Sequence, residues 1–389
     1  MIGYTGELRK FVAPELLFGP GAMYKASSYI RNMGGRRVLL VSDEGVAQAG
    51  LTAKLKASFD DFGINYNSYL DVSPNPRDFE VMKGVDVYSG NNCDMIIALG
   101  GGSPVDCAKG IGVVVSNGKE IGSYEGVDNI PLPMPPLICI PTTAGSSADV
   151  SQFSIILNTL ESYKMAIVSK GLVPDISLID PEATITMDSK LTAETGLDAL
   201  THAVEAYVSN AASPITDLNA LQAIKYIVMY LPVVISEPEN LDARSAVMLG
   251  SLHAGLAFSN ASLGLVHSMA HALGGLLDLP HGLCNALLLE HVVQYNFDAE
   301  PDKYGDIAEI VAGEKLSAKN SSSVSDLLFN ALREFRRSLD IGDNLQPGVI
   351  DSAVAGNLAD KALSDACIVT NPKAATKKDI ISLYEKIIG

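Results

Sequence analysis

DMIIALG (94–100) runs directly into GGSPVDCAKGIGVVVSN (101–117), and the reading of this stretch decides the fold. A short apolar run bounded by glycine reads as a buried strand, and the small-residue segment after it carries the spacing of a helix. The same unit recurs on both sides. RRVLLVSD (36–43) is a strand followed by the helical EGVAQAGLTAKLKASFDDFG (44–63), and INYNSYLDV (64–72) is a strand before PNPRDFEVMKGVDVYSGN (74–91). PPLICIP (135–141) is a strand entering TTAGSSADV (142–150). Alternating strands and helices predict a parallel, Rossmann-like sheet with right-handed crossovers. After Asp188 the texture changes to long Ala- and Leu-rich helical periods such as LTAETGLDALTHAVEAYVS (191–209) and DLNALQAIKYIVMYLPVVI (217–235). The expected organisation is an α/β domain over residues 1–188 and an all-helical domain over 189–389, with a cleft between them.

Composition narrows the function. Twenty-eight basic against 45 acidic side chains give a net charge of −17, which argues against nucleic acid or an anionic membrane as partner. No apolar run is read as long enough to span a bilayer, and the N-terminal stretch shows no charged-then-apolar secretory pattern. The five cysteines are scattered and lack CxxC spacing, so neither a disulfide framework nor a thiolate zinc site is expected, and the chain reads as cytoplasmic. All six histidines fall between His202 and His291, which marks that region as a site before any motif is named.

In the first half, the glycines of GGGS (100–103) open a helix at the end of a strand. Ser103 is the expected N-cap, Pro104 suits the first turn, and Asp106 stands three residues on as in a capping box. Such a turn lets a pyrophosphate approach backbone N–H groups at a helix N-terminus, or is simply a tight turn. There is no GxGxxG. Asp43, ending the first strand, is either a ribose-binding acid favouring NAD over NADP or a helix N-cap. PTTAGSSAD (141–149) offers Thr142, Thr143, Ser146 and Ser147, and Asn75-Pro76 ends another strand; all these loops are expected at the carboxyl ends of the strands, where open sheets bind ligands.

In the second half, Asp198 and His202 lie four apart on one helix face, His267 and His271 repeat that spacing, and His281 follows in LPHGLCN. One carboxylate with imidazoles suits Fe(II) or Zn(II) rather than Mg(II) or Ca(II). Spacing alone leaves open which histidines bind. His253 and His291 read as core residues.

GGGSPVDCAK (100–109), PTTAGSSAD (141–149), GLDALTHAVEAYVS (196–209) and GLVHSMAHALGGLLDLPHGLCNALLL (264–289) together resemble the iron-containing alcohol dehydrogenases, a likeness running from FGPGA (18–22) to TNPKAATKKDI (370–380). The resemblance implies metal ligands Asp198, His202, His267 and His281. It implies a non-ligand His271 relaying a proton, and cofactor contacts from Asp43, Asn75, Gly101, Gly102, Ser103, Thr142, Thr143, Lys164 and Leu191. Asp106 and Ser146, from the two loops, complete the cofactor set. Phe258 and Phe153 are the implied pocket residues. The implied reaction is hydride transfer between a small alcohol and NAD, with iron, or zinc, as Lewis acid, in a homodimer or larger homo-oligomer. One departure stands out: the second loop reads Ser146-Ser147-Ala148-Asp149 where the family has Thr-Gly-Ser-Glu, an expected change in phosphate geometry or pocket floor. Two other readings share the scaffold. A lyase resembling dehydroquinate synthase needs converging basic residues, and residues 191–289 hold only Lys225 and Arg244. A regulatory member without efficient turnover is the third.

Overall fold

The computed structural model describes residues 10–316, 321–345 and 352–388; the first nine residues, part of the stretch read for a leader, lie outside them. Nine strands are present among the described residues: β1 (Glu15–Phe18), β2 (Arg37–Val41), β3 (Asn65–Tyr69), β4 (Met95–Gly100), β5 (Gly126–Val127), β6 (Leu137–Pro141), β7 (Phe153–Asn158), β8 (Tyr163–Val168) and β9 (Ile176–Ile179). Six form one sheet in the order β1-β9-β6-β4-β2-β3, and every pairing in it is parallel. A strand of such a sheet is buried on both faces and reads as a continuous apolar run. In β4, Ile96 and Ala98 enter one core while Met95, Ile97 and Leu99 enter the core on the opposite face.

Two sequence expectations change. Beside the parallel sheet stands a small second one, β5-β8-β7, whose β7–β8 pair is an antiparallel hairpin. The helix expected over 44–63 is two, α2 (Glu44–Gln48) and α3 (Leu51–Asp61), because Gly50 adopts φ 79 and breaks the ladder. The other helices of this half are α1 (Ala26–Asn32), α4 (Asp78–Gly90) and α5 (Gly102–Asn117).

From Ser189 onward the described regular elements are helical: α6 (Ser189–Val208), α7 (Pro214–Ser236), α8 (Leu241–Ala261), α9 (Leu265–Leu277), α10 (His281–Asn296), α11 (Pro301–Ala312), α12 (Ser321–Ser338), α13 (Ser352–Ser364) and α14 (Lys377–Glu385). Asp188 caps α6 by accepting the Leu191 N–H at 2.7 Å, which fixes where the helical half begins. Helix α7 corrects one reading: it is long and apolar enough to cross a membrane by length and composition, yet it packs on α6, α8 and α11. The α/β half and the helical half face each other across a cleft of about 1470 Å³ at the carboxyl ends of the strands.

Candidate metal centre and cofactor cleft

Three helices supply the inner residues. Asp198 and His202 sit one turn apart on α6, His267 lies in the first turn of α9, and His281 opens α10 directly after Pro280. One ligand-type atom from each lies within 4.8 Å of those of the other three. The Nε2 atoms of His202, His267 and His281 stand 3.9, 3.8 and 3.8 Å from Asp198 Oδ1. Burial pushes His202 down to about 4 and His267 to about 3, and holds His281 well below its ordinary value. All three rings are therefore neutral near pH 7 and present lone pairs.

The chain does not satisfy those lone pairs by itself. The Asn285 amide Nδ2 lies 2.7 Å from Asp198 Oδ1, 3.1 Å from His267 Nε2 and 3.2 Å from His281 Nε2, so two amide hydrogens face three acceptors. Asn285 Oδ1 is buried with no partner. An excess of acceptors in a buried pocket is the donor set a divalent cation satisfies. The four residues fit Fe(II) or Zn(II).

Around this centre, Glu205 Oε2 lies 2.6 Å from His267 Nδ1, and Asp365 Oδ2 lies 2.8 Å from His271 Nδ1. His271 lines the cleft, with its ring stacked on His281 at 5.2 Å. Burial pushes the Asp365 carboxyl up, but the neighbouring His271 and the Cys367 N–H outweigh it and hold the group below its ordinary value. Phe258 stacks on His202 at 4.3 Å and meets Phe153 at 5.7 Å, and both aromatic rings line the cleft next to the metal residues. His253, bonded to Asn219, and His291, against Phe329, stand apart from the cluster; His291 is buried as a core residue would be, whereas His253 is only half-buried. Sequence reasoning missed Glu205, Asn285 and Asp365. Two of them carried a signal: Asn285 follows His281 by four residues, and Asp198, His202 and Glu205 follow the spacing of one helix face.

On the cofactor side, Asp43, Asn75, Gly101, Gly102, Ser103, Asp106, Thr142, Thr143, Ser146, Lys164 and Leu191 all line the same cleft. The helix start differs from expectation. Gly101, not Ser103, is the N-cap of α5, so Ser103 lies inside the first turn and forms no capping box with Asp106. The loops explain why: a Cβ on Gly101 would meet Thr143 at 3.1 Å and one on Gly102 would meet Ser146 Oγ at 2.9 Å. Only glycine lets the two loops close, and this leaves the first N–H groups of α5 facing the cleft. Asp106 opens onto the cleft instead, and burial pushes its carboxyl up to about 7 against the pull of Lys109.

Two side chains are already engaged. Asp43 caps α2 by accepting the Val46 N–H at 2.8 Å, the second of its two readings. Asn75 Nδ2 donates to Asp278 Oδ1 at 2.9 Å, across the cleft. Lys164, on β8, is buried, and its pKa is lowered by that burial. In the departing loop, Ser147 takes the left-handed φ 50 that glycine adopts freely, and its hydroxyl donates to Ser251 O at 2.6 Å on α8. Asp149 turns away to accept from Ser177 Oγ at 2.5 Å. Of the four departing residues, 146–149, only Ser146 and Ala148 reach the cleft, so the expected change to the pocket floor is confined to them. Of the only two basic residues in 191–289, Arg244 donates to Pro238 O and Met187 O, and Lys225 is exposed on α7; neither lines the cleft, as a lyase reading would require.

Comparison with known proteins agrees with this arrangement. Residues 13–181 match the model of the iron-containing alcohol dehydrogenases, and residues 192–388 match that of the C-terminal part of the Fe-containing alcohol dehydrogenase family. A 1,3-propanediol dehydrogenase of Citrobacter freundii is 38% identical over 379 residues, covering 97% of this chain and 98% of the relative. An NAD-dependent methanol dehydrogenase of Bacillus methanolicus is 33% identical over 378 residues, covering 97% and 99%. The solved structure of an alcohol dehydrogenase from Oenococcus oeni superposes with a TM-score of 0.94 at 33% identity, covering 98% of this chain and all of that one. With an α/β half, a helical half and a buried cluster of one aspartate and three histidines between them, the chain belongs to the iron-containing alcohol dehydrogenase family.

Proposed function

We propose that this chain interconverts a small primary alcohol or terminal diol with its aldehyde, using NAD and one divalent iron held by Asp198, His202, His267 and His281. The observation carrying the reading is the buried excess of lone pairs at the inner end of a cleft whose other end is lined by glycine loops. When bound, the metal supplies Lewis-acid polarisation of the substrate oxygen, and the nicotinamide accepts or returns the hydride.

The chain's own groups do the rest. The α5 N-terminus and the hydroxyls of Thr142, Thr143 and Ser146 face the cleft where a pyrophosphate is held. Phe153 and Phe258 keep water from the reacting carbon and leave room for a short, apolar substrate. His271 keeps Nδ1–H on Asp365, which directs its Nε2 lone pair away from that partner to take up and pass on a proton. Lys164, buried in the cleft wall, is placed to meet an anionic cofactor. The relatives named for propanediol and methanol support the substrate class. Five free, buried cysteines fit a cytoplasmic site. A homo-oligomer is part of the proposal, supported by exposed Ile215, Leu218 and Met229 along one face of α7.

The test is elemental analysis of anaerobically purified protein, followed by NAD reduction with short alcohols. One metal per chain is expected, with NADH formed from propanol or 1,3-propanediol. His267→Ala should lose the metal, whereas His271→Ala should keep it and lower kcat about 100-fold, the low end of proton-transfer contributions. Wild-type turnover in a metal-free His267→Ala protein would defeat the reading.

A further inference from the structure

The three imidazoles of the metal cluster are not held alike. His202 Nδ1 and His281 Nδ1 are buried without a hydrogen-bond partner, whereas His267 Nδ1 meets a carboxylate, Glu205 Oε2, at 2.6 Å. Glu205 is 5% exposed and comes from α6, the helix that also carries Asp198 and His202. It does more than touch the ring. Its Oε1 accepts the Val266 N–H at 2.6 Å and its Oε2 the His267 N–H at 3.4 Å, the open amides of the first turn of α9. The N-cap of α9 is Gly264, which has no side chain to supply that cap. A Cβ there would lie 2.9 Å from Glu205 Oε1, so glycine is what admits the carboxylate from the neighbouring helix.

We propose that Glu205 is the positioning residue of the metal centre: it caps α9 from α6 and fixes His267 as the Nδ1–H tautomer with Nε2 toward the ion. The proposal rests on the metal reading above. Both Glu205 oxygens already accept backbone N–H groups of α9, which leaves Oε2 to accept from His267 Nδ1 as well. A proton on His267 Nδ1 leaves Nε2 as the only lone pair of the ring, so one hydrogen bond settles which nitrogen ligates. Outer carboxylates of this kind typically account for 10–100-fold in metal affinity.

The experiment uses the full-length protein freed of metal with a chelator and titrated with Co(II). Its visible d–d bands report the geometry, and chelator competition gives the Kd. Glu205→Gln should raise the Co(II) Kd about 10–100-fold and alter the d–d bands, while far-UV circular dichroism shows both proteins folded at the titration temperature. Independently of any variant, nitrogen-15 spectra of the metal-free wild-type protein should show His267 protonated on Nδ1; with six histidines the signals separate, and loss in His267→Ala assigns the one that matters. A Glu205→Gln protein binding Co(II) within twofold of wild type, or a wild-type His267 protonated on Nε2, would overturn the role of Glu205. A wild-type protein that takes up no Co(II) would instead sink the metal reading itself.

Discussion

At the scale of single residues the chain holds several imidazoles where charge is expensive. Burial lowers His202 and His291 to about 4 and His267 to about 3, from an ordinary value of 6.5. On acidification the unfolded chain therefore takes up these protons before the folded one does. The stability they contribute is complete above 6.5 and is lost as pH falls from there to about 4 for His202 and His291 and to about 3 for His267. For the chelated protein, the urea midpoint should fall steadily across that window, each such group contributing up to ~1.4 kcal/mol per pH unit. A flat midpoint between pH 6.5 and 4 would show that the rings are already charged. The ligand-type residues were legible because Asp198 and His202 share a helix face, but spacing could not separate His271 from the others. What separates them is Asp365, which lies far along the chain from His271 and meets it only through the packing of α9 against α13 and the turn after it.

At the scale of elements the crowding of two loops overrode a local rule. Ser103 followed by Asp106 has the pattern of a cap, yet the helix begins earlier because Gly101 and Gly102 lie against Thr143 and Ser146. A methyl group on Gly102 would press Ser146 Oγ at 2.9 Å. Overpacking of this kind costs ~1–3 kcal/mol. Gly102→Ala should therefore raise the Kd for NAD at least about tenfold by fluorescence titration, with the metal content unchanged; an unaltered Kd would mean the glycine loop does not carry the phosphates. The principal strands β2, β4 and β6 were legible from their apolar runs, and the polar edge strand β3 from its place in the alternation of strands and helices. β1 and β9 were not, since four residues each give no period to read. The β7–β8 hairpin lies beyond the last strand that apolar runs marked, and its turn, TLES (159–162), lacks the glycine pair that announces a tight hairpin.

At the scale of the whole molecule the two halves are joined across the cleft as well as beneath it. Arg77, on the α/β side, pairs with Asp278 of the helical half at 2.9 Å, and Asn75 donates to the same carboxylate. Asp278 is 57% exposed, so the pair is screened and contributes ~0–1 kcal/mol. Arg77→Ala should accordingly speed NADH release by a few-fold at most in stopped-flow fluorescence, and wild-type release should quicken with added salt while the variant's does not. Identical salt dependence in both would show that the cofactor leaves without opening this contact. No local pattern announced the clasp, because Asn75 and Asp278 belong to different halves and only the assembled cleft brings them together.

The proposed centre places one divalent ion among four side chains from three helices. Anomalous diffraction at the iron edge, from crystals of anaerobically purified protein, tests it most directly. A single peak is expected about 2.0–2.2 Å from Asp198 Oδ1 and from the Nε2 atoms of His202, His267 and His281. A peak lodged instead at the other grouping of ligand-type residues, His271, Asp365 and Cys367, or no peak in catalytically active crystals, would contradict it.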